Sequence, residues 1–515
     1  MPSSPPVPAD PHDGLLLAAI DMGSNSFRLE IGQLARGRYK RIDYLKETVR
    51  LGGGLDADGR LNEEAQLRGL ACLARFALRL RGFEASQIRA VATQTLREAR
   101  NRDAFLARAR TVLGHPIEVV SGREEARLIF AGVARLQPSE RPRLVIDIGG
   151  RSTEMILGQG RTPRQAESFQ VGSVSLSMRY FPDGRFTAEA FRAAQIAAGA
   201  ELEEALQPFA PGQWVEALGA SGTVGAVSQL LAANGISDGV ITPAGLRWCI
   251  GACLEAGHQD ALDLPGLKPE RRAVLGGGLS ILYTLALQFG IDALQPARGA
   301  LRQGVIFDLS ERLEAAAAPA RRGAGQDMRD ASVHELQRRF GSDLAQAARV
   351  QRLALSLFRS TGAPRPGGTG AETTRELGWA ALLHEIGMSV SHHDHHRHSA
   401  YLLAHVDAPG FSQSQQRRVA ELVLGHRGSL RKLDHTLQQE ATLWPVLSLR
   451  LAALLCHARN DVPERVVALR RTAQGAQLRI ARGWADGHPR TMHLLGEEAR
   501  AWERSGRMAL AVLGD

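Results

Sequence analysis

The hydrophobic pattern of this chain changes character once. Up to about residue 312, short apolar runs of strand length alternate with stretches of helical period. Beyond that point the period is helical almost throughout. The stretch AAIDMGSNSFRLEIG at 18–32 predicts two strands joined by a tight turn, and a further strand and turn are predicted over 39–55. A helix is predicted at 63–80, a strand at 88–93, a helix at 102–112, a strand at 116–120 and a helix at 124–136. LVIDIGGRSTEMILG at 144–158 then repeats the paired runs. It is followed by a helix at 186–206, a strand at 214–218, a helix at 224–234, a helix at 274–289 interrupted by Gly276-Gly277-Gly278, and a return toward the core over 299–309. EAAAAPARRGAGQDM at 314–328 is the clearest linker. Five helices are predicted after it, at 333–340, 345–360, 374–385, 412–425 and 444–459, and a small β-containing end after Arg465.

The two paired runs superpose at an offset of 126 positions: Ile20 on Ile146, Asp21 on Asp147, Gly23 on Gly149, Ser26 on Ser152 and Gly32 on Gly158. Asp-x-Gly alone is ordinary hairpin chemistry. Two copies that agree into the flanking strands imply a duplicated α/β architecture.

Composition narrows the class. A chain of 515 residues is too long for one core. No run of 18 apolar residues exists, so no membrane-spanning helix is predicted. The opening residues 1–14 lack a secretory pattern and read as a disordered tail. Four cysteines form no disulfide framework, and Cys249 with Cys253 are too few for a zinc site, so buried thiols in a reducing cytoplasm are expected. The net charge of +9 implies a polyanionic partner. An aromatic content of 5% argues against a nucleic-acid stacking platform.

The turns carry the candidate chemistry. A turn of glycine and hydroxyl residues behind a strand presents backbone N–H groups to an anion, most often phosphate. The candidate contacts are Gly23, Ser24, Asn25 and Ser26 in the first turn and Gly149, Gly150, Arg151, Ser152 and Thr153 in the second. Gly219, Ser221, Gly222 and Thr223 lie at the start of the helix at 224–234, where amides are again free. Asp147 and Glu154 flank the second turn and Asp21 opens the first, a set of hard oxygen donors suited to Mg²⁺. The P-loop and dinucleotide fingerprints are absent.

The pair DMGSNSFRL and DIGGRSTE resembles the exopolyphosphatase and guanosine-pentaphosphatase family, within the actin, Hsp70 and sugar-kinase superfold. The same resemblance is carried by Thr95-Leu96-Arg97, by SGREEAR at 121–127, GASGT at 219–223 and GALRQGV at 299–305. It extends from about Leu15 to the C-terminus and is nearest to the long, four-domain exopolyphosphatases. The fold it implies is α/β: two duplicated actin-like (ribonuclease H-like) lobes around a cleft, then an α-helical HD-like domain and a small C-terminal β-containing domain. The implied boundaries are a tail at 1–14, lobe I at 15–136, lobe II at 137–312, a linker at 313–328, the helical domain at 329–460 and the terminal domain at 461–515. The resemblance further implies Glu125 as catalytic base, Arg97 as a phosphate-binding arginine, Mg²⁺ as cofactor and a homodimer. Without it, paired glutamates at a helix start would read only as complements to the helix dipole. One position departs from the family: Arg151 stands where a third glycine is usual, and would narrow the turn or add a cation beside the phosphate.

The helical part carries His384-Glu385 and HHDHHRHS at 392–399, and resembles the HD phosphohydrolase fold. An active HD site needs His-Asp as adjacent metal ligands. Glu385 stands in the aspartate's place, so this domain reads as non-catalytic. Arg417, Arg418, Arg427, Arg431 and Lys432, against Glu421 and Asp434, suggest a track for polyphosphate, with a solvated helix face as the alternative. The leading expectation is a phosphoanhydride hydrolase: a Mg²⁺-dependent, processive exopolyphosphatase acting on inorganic polyphosphate. The alternative is hydrolysis of guanosine pentaphosphate to tetraphosphate at the same site. A kinase or ATPase of the superfold would need an adenosine pocket around 219–223.

Overall fold

The apolar run before Asp21 becomes β1 (Leu16–Met22), which turns into β2 (Ser26–Ala35) and β3 (Arg38–Thr48). This computed structural model describes residues 14–35, 38–317, 327–362, 369–433, 436–438, 440–473 and 475–514, so residues 1–13 of the expected tail lie outside it. β4 (Ile88–Ala92) and β5 (Ile117–Val119) complete a sheet of order β3-β2-β1-β4-β5. β1 pairs antiparallel with β2 and parallel with β4. Residues 17–22 are all buried, because helices cover both faces of the central strand.

The second sheet repeats the first. β6 (Arg143–Ile148), β7 (Thr153–Gln159), β8 (Thr162–Phe169), β9 (Glu216–Gly219) and β10 (Leu294–Pro296) run in the order β8-β7-β6-β9-β10. Even the register matches: Asp21 faces Arg28 across the first hairpin, and Asp147 faces Glu154 across the second. The predicted duplication is therefore a duplication of topology, and the fold is actin-like.

Helices of the first lobe are α1 (Glu63–Arg79), α2 (Gln94–Glu98), α3 (Arg102–Leu113) and α4 (Gly122–Leu136). Ser121 caps α4 by accepting from the Glu124 N–H. The second lobe adds α5 (Ser173–Tyr180), α6 (Ala188–Leu202), α7 (Gly222–Ala233), α8 (Pro243–Ala256), α9 (Pro269–Gln288) and α10 (Leu301–Ala317). The four cysteines are free and buried.

Two expectations change here. The glycine trio does not interrupt α9, which runs straight through it. A Cβ on Gly277 would lie 2.4 Å from the Ser173 carbonyl oxygen, and one on Gly278 would lie 2.6 Å from Thr223 Cγ2. Close approach of α5 and α7 thus offsets the poor helix propensity of glycine. The return is likewise helical from Leu301 onward, and α10 holds 313–317, which the sequence pattern assigned to the linker. α10 crosses back to lie against α4 and β1. A Cβ on Gly304 would sit 1.7 Å from the Leu128 carbonyl oxygen, so the two backbones touch. Their shared core joins Leu17 and Val91 of the first sheet to Val145 and Leu218 of the second. The lobe boundary at 312 therefore does not hold for α10, whose apolar face belongs with α4.

Gln326–Asp515 form a second compact unit. It contains α11 (Met328–Arg339), α12 (Leu344–Ser360), α13 (Thr369–Leu383), α14 (His395–His405), α15 (Gln413–Gly425) and α16 (Glu440–Leu455). A sheet of β11 (Val467–Thr472), β12 (Gly475–Ile480) and β13 (Ala509–Gly514) follows, with α17 (Arg482–Gly487) and α18 (Pro489–Ser505) before the last strand. The sheet is not a domain of its own. Leu469, Leu478 and Trp502 share one core with Val350, Leu353 and Leu447, and the buried Arg450–Glu498 pair at 2.5 Å ties α16 to α18. The 461–515 domain is thus the closing layer of the helical one. No described helix is long and apolar enough to cross a membrane.

Candidate active site

Both turns are held from behind by their carbonyls. The carbonyl oxygens of Ser24 and Asn25 accept from Gly52 and Arg50, and those of Gly149 and Gly150 accept from Ser173 and Val174. The N–H of Gly149 is spent inside its own hairpin, on Ser152 O at 2.9 Å. The amides of Ser24, Asn25, Gly150 and Arg151 find no acceptor among the described residues. The two turns approach each other, since a Cβ on Gly150 would lie 3.2 Å from Ser24 Cβ and 3.6 Å from the Asn25 nitrogen. Between the lobes opens a cavity of about 510 Å³, lined by both turns and by Glu125 and Asp147.

Three carboxylates, Asp21, Glu125 and Asp147, line it, and a fourth, Glu154, sits opposite Asp147 on the paired strand. Asp147 lines the cavity, and burial pushes its carboxyl up to about 7, with the charges of Glu125 and Asp21 adding to the shift and Arg28 opposing it. Glu154, behind it, is pushed well above the usual range by burial, then by Glu125 and Asp147, and accepts from Ser168 Oγ at 2.8 Å. Glu125 is raised by burial against the opposing pull of Arg97, whose Nη1 lies 2.6 Å from its Oε2. Asp21 faces Arg28 at 3.4 Å and Arg302 at 3.5 Å. Mutually repelling buried carboxylates are the donor set that a divalent cation stabilises. Among the described residues no group of three or more His, Cys, Asp or Glu side chains is arranged to hold an ion alone.

Cations ring the mouth. Arg28, Arg41, Lys46, Lys268, Arg271 and Arg302 line the cavity beside Tyr44. The Lys46 ammonium is pushed down by burial, then by the charges of Arg271 and Arg28. Among the described residues Ser26 Oγ and Arg28 Nε are buried without a hydrogen-bond partner. Crowded cations and orphaned buried polar atoms are features that suit a multiply charged anion.

The Ppx/GppA phosphatase family profile matches residues 31–313, and that of its domain III matches 328–499. This chain belongs to the Ppx/GppA phosphatase family. It is 37% identical to a guanosine-5'-triphosphate,3'-diphosphate pyrophosphatase of Vibrio vulnificus (strain YJ016) over 491 residues, 94% of this chain and 95% of that one. An exopolyphosphatase-like protein of solved structure is 25% identical with a TM-score of 0.52, and covers 58% of this chain and 98% of its own. An exopolyphosphatase from Cytophaga hutchinsonii ATCC 33406 shares the fold at 23% identity and a TM-score of 0.52, covering 57% and 97%. As a Ppx/GppA family member the chain is a hydrolase of phosphoanhydride bonds.

Against this Ppx/GppA cleft, most of the sequence-derived site residues assemble. Asp21, Gly23, Ser24, Asn25, Ser26, Glu125, Asp147, Gly149, Gly150, Ser152, Ser221, Gly222 and Thr223 line the cavity. Others are turned to different tasks. The Ser221 hydroxyl caps α7, and the Thr223 hydroxyl donates to Ile148 O at 3.1 Å. Thr153 Oγ1 donates to Val171 O at 2.6 Å, and Gly219 O accepts from Ala297, so neither of these residues lines the cavity. Arg97 and Arg151 are also absent from the lining: Arg97 grips Glu125, and Arg151 reaches Glu98 at 2.9 Å. The mouth cations were not foreseen from sequence. Arg28 and Arg302 lie inside the motifs SNSFRL and GALRQGV, whereas Lys46, Lys268 and Arg271 have no local signal.

Domain III supplies no metal centre among the described residues. His384, His395 and His426 point Nδ1 at backbone carbonyls three residues upstream, and burial lowers all three pKa values. Glu385 is taken by Arg459 at 3.2 Å. The expected basic track is uneven. Arg418 is bound to buried Glu376 at 2.5 Å, and the half-buried Lys432 ammonium donates to the Arg427 carbonyl. Arg417, Arg427 and Arg431 are exposed, and Asp434 lies outside the described residues.

Proposed function

We propose that this chain hydrolyses guanosine pentaphosphate to the tetraphosphate, releasing orthophosphate. The observation that carries the reading is the set of cations lining the cavity. A 5'-triphosphate held by the turns would leave a 3'-diphosphate needing its own anion site, and Arg28, Lys46, Lys268 and Arg271 line the same cavity within electrostatic reach of one another. The cavity volume, about 510 Å³, falls in the range of small-molecule sites. The relative named for this reaction supports the reading over the exopolyphosphatase one that the sequence favoured.

The terminal phosphoryl group lies against the amides of Ser24, Asn25 and Gly150. Glu125 holds a water and takes its proton as oxygen attacks phosphorus, and the phosphoanhydride bond to the leaving oxygen breaks. A carboxyl raised by burial is better matched to proton transfer near neutral pH. Asp147 and Glu154 would hold Mg²⁺, which supplies charge neutralisation to the phosphoryl oxygens. Inorganic polyphosphate is the second reading, because a linear polyanion would meet the same cations. The test is phosphate release from guanosine pentaphosphate, long polyphosphate and ATP, each with and without Mg²⁺. A kcat/KM for guanosine pentaphosphate no higher than that for polyphosphate would overturn the proposal.

A further inference from the structure

Arg151 turns away from the phosphate loop that carries it. Its Nε and Nη2 donate to Glu98 Oε2 at 3.0 and 2.9 Å, and its Nη1 to the Gly52 carbonyl at 3.4 Å. Glu98 closes α2 in the other lobe. The second phosphate turn is therefore fastened to the first lobe by an ion pair across the cleft. The path does not stop there. Glu98 Oε1 accepts from Gln94 Nε2 at 2.5 Å. Gln94 Oε1 accepts from Arg97 Nε and Nη2 at 2.9 and 2.5 Å. Arg97 Nη1 then donates to Glu125 Oε2 at 2.6 Å and to the Val120 carbonyl at 3.1 Å. Positions 94, 97 and 98 share one face of a single helical turn, so the three side chains move as a set.

We propose that Arg151 is a positioning residue: its ion pair with Glu98 holds Gln94 and Arg97, and through them aims the Glu125 carboxylate. Seating of the second phosphate turn on the first lobe and alignment of the base are then one event. The inference rests on Glu125 being the base. The physics separates it from a structural role. An ion pair whose side chains are 25% and 27% exposed adds little to folding stability. Loss of alignment at a reacting water, by contrast, is felt directly in rate.

The test compares Arg151→Gly, Glu98→Gln, the double variant and Arg151→Lys in the full-length chain, with Glu125→Gln as reference. The readouts are kcat and KM on whichever substrate the wild type turns over fastest, and the melting temperature. The expected result is about a tenfold fall in kcat for each single variant, with KM within about twofold and the melting temperature unchanged. The double variant should be no worse than either single, because both remove one link. Arg151→Lys should recover part of the rate. Unchanged kcat in both singles, multiplicative losses in the double, or a raised KM at constant kcat would each overturn the proposal, the last by making Arg151 a substrate contact. An active Glu125→Gln would remove the base assignment itself, and this inference with it.

Discussion

Asp308, on α10, is the anion on which three segments of the catalytic unit converge. Its carboxylate accepts from Arg89 Nη1 at 2.6 Å, Arg127 Nη2 at 2.5 Å and Arg312 Nε at 2.6 Å, and it is 4% exposed. Arg127 also holds Glu124 at 2.7 Å, and Arg89 holds Glu118 at 3.1 Å. Asp308→Ala would remove the buried carboxylate that Arg89, Arg127 and Arg312 share. Removing one partner of a buried pair costs about 3–5 kcal/mol. At roughly 2–4 °C per kcal/mol for a large domain, the transition of this unit should fall by on the order of 10 °C. Burial alone would raise the Asp308 carboxyl, but Arg312, Arg127 and Arg89 outweigh it and hold the group well below the usual carboxylate range. A depressed folded-state pKa contributes stability above the unfolded value of about 3.9, and that contribution is lost on further acidification. The gap between wild type and variant should thus stay constant from about pH 6 to 8 and narrow below about pH 4. Scanning calorimetry of both proteins across pH measures it. A shift under about 2 °C at neutral pH, or a gap that widens in acid, would refute the reasoning.

Glu125→Gln should lower kcat by about 10² to 10⁴ while guanosine pentaphosphate binding, followed by calorimetry, changes little. Asp147→Ala and Glu154→Ala should each raise the Mg²⁺ concentration for half-maximal activity, read from metal titrations at saturating substrate. Because burial lifts the Asp147 carboxyl to about 7, the acid limb of the pH–rate profile should lie near neutrality at low Mg²⁺ and move to lower pH as Mg²⁺ rises, since a cation favours the ionised form. A chain ending between 318 and 326 should keep Mg²⁺-dependent hydrolysis, because every residue lining the cavity lies in the compact unit that ends at Gly325. It should lose affinity for long polyphosphate in a binding titration, and the full-length affinity should fall steeply with salt.

The hairpins, the Asp-x-Gly turns and the carboxylates beside them are legible in the sequence alone, since β1–β2 and β6–β7 each carry their turn, their alternation and their charges within about fifteen consecutive residues. Local sequence sets backbone path there, and the backbone path presents the amides. The glycine trio of α9 misled because glycine has two opposite uses. It breaks a helix left alone in water, and it permits a helix to touch another backbone, as Gly277 and Gly304 do. Propensity sees only the first use.

Side-chain partnership is the part that only the tertiary structure decided. Arg97, a phosphate ligand by the family resemblance, and Arg151, a candidate by its place in the second turn, are both paired with carboxylates from other segments, Glu125 and Glu98. The cation group at the mouth draws Arg28 and Lys46 from the first sheet, Lys268 and Arg271 from the start of α9 and Arg302 from α10. A long charged side chain settles where the opposite charge and the least desolvation cost are found together. For a guanidinium that place is set by residues tens to hundreds of positions away, so the sequence by itself determined the two glycine-and-hydroxyl turns, and the packing of the lobes determined what surrounds them.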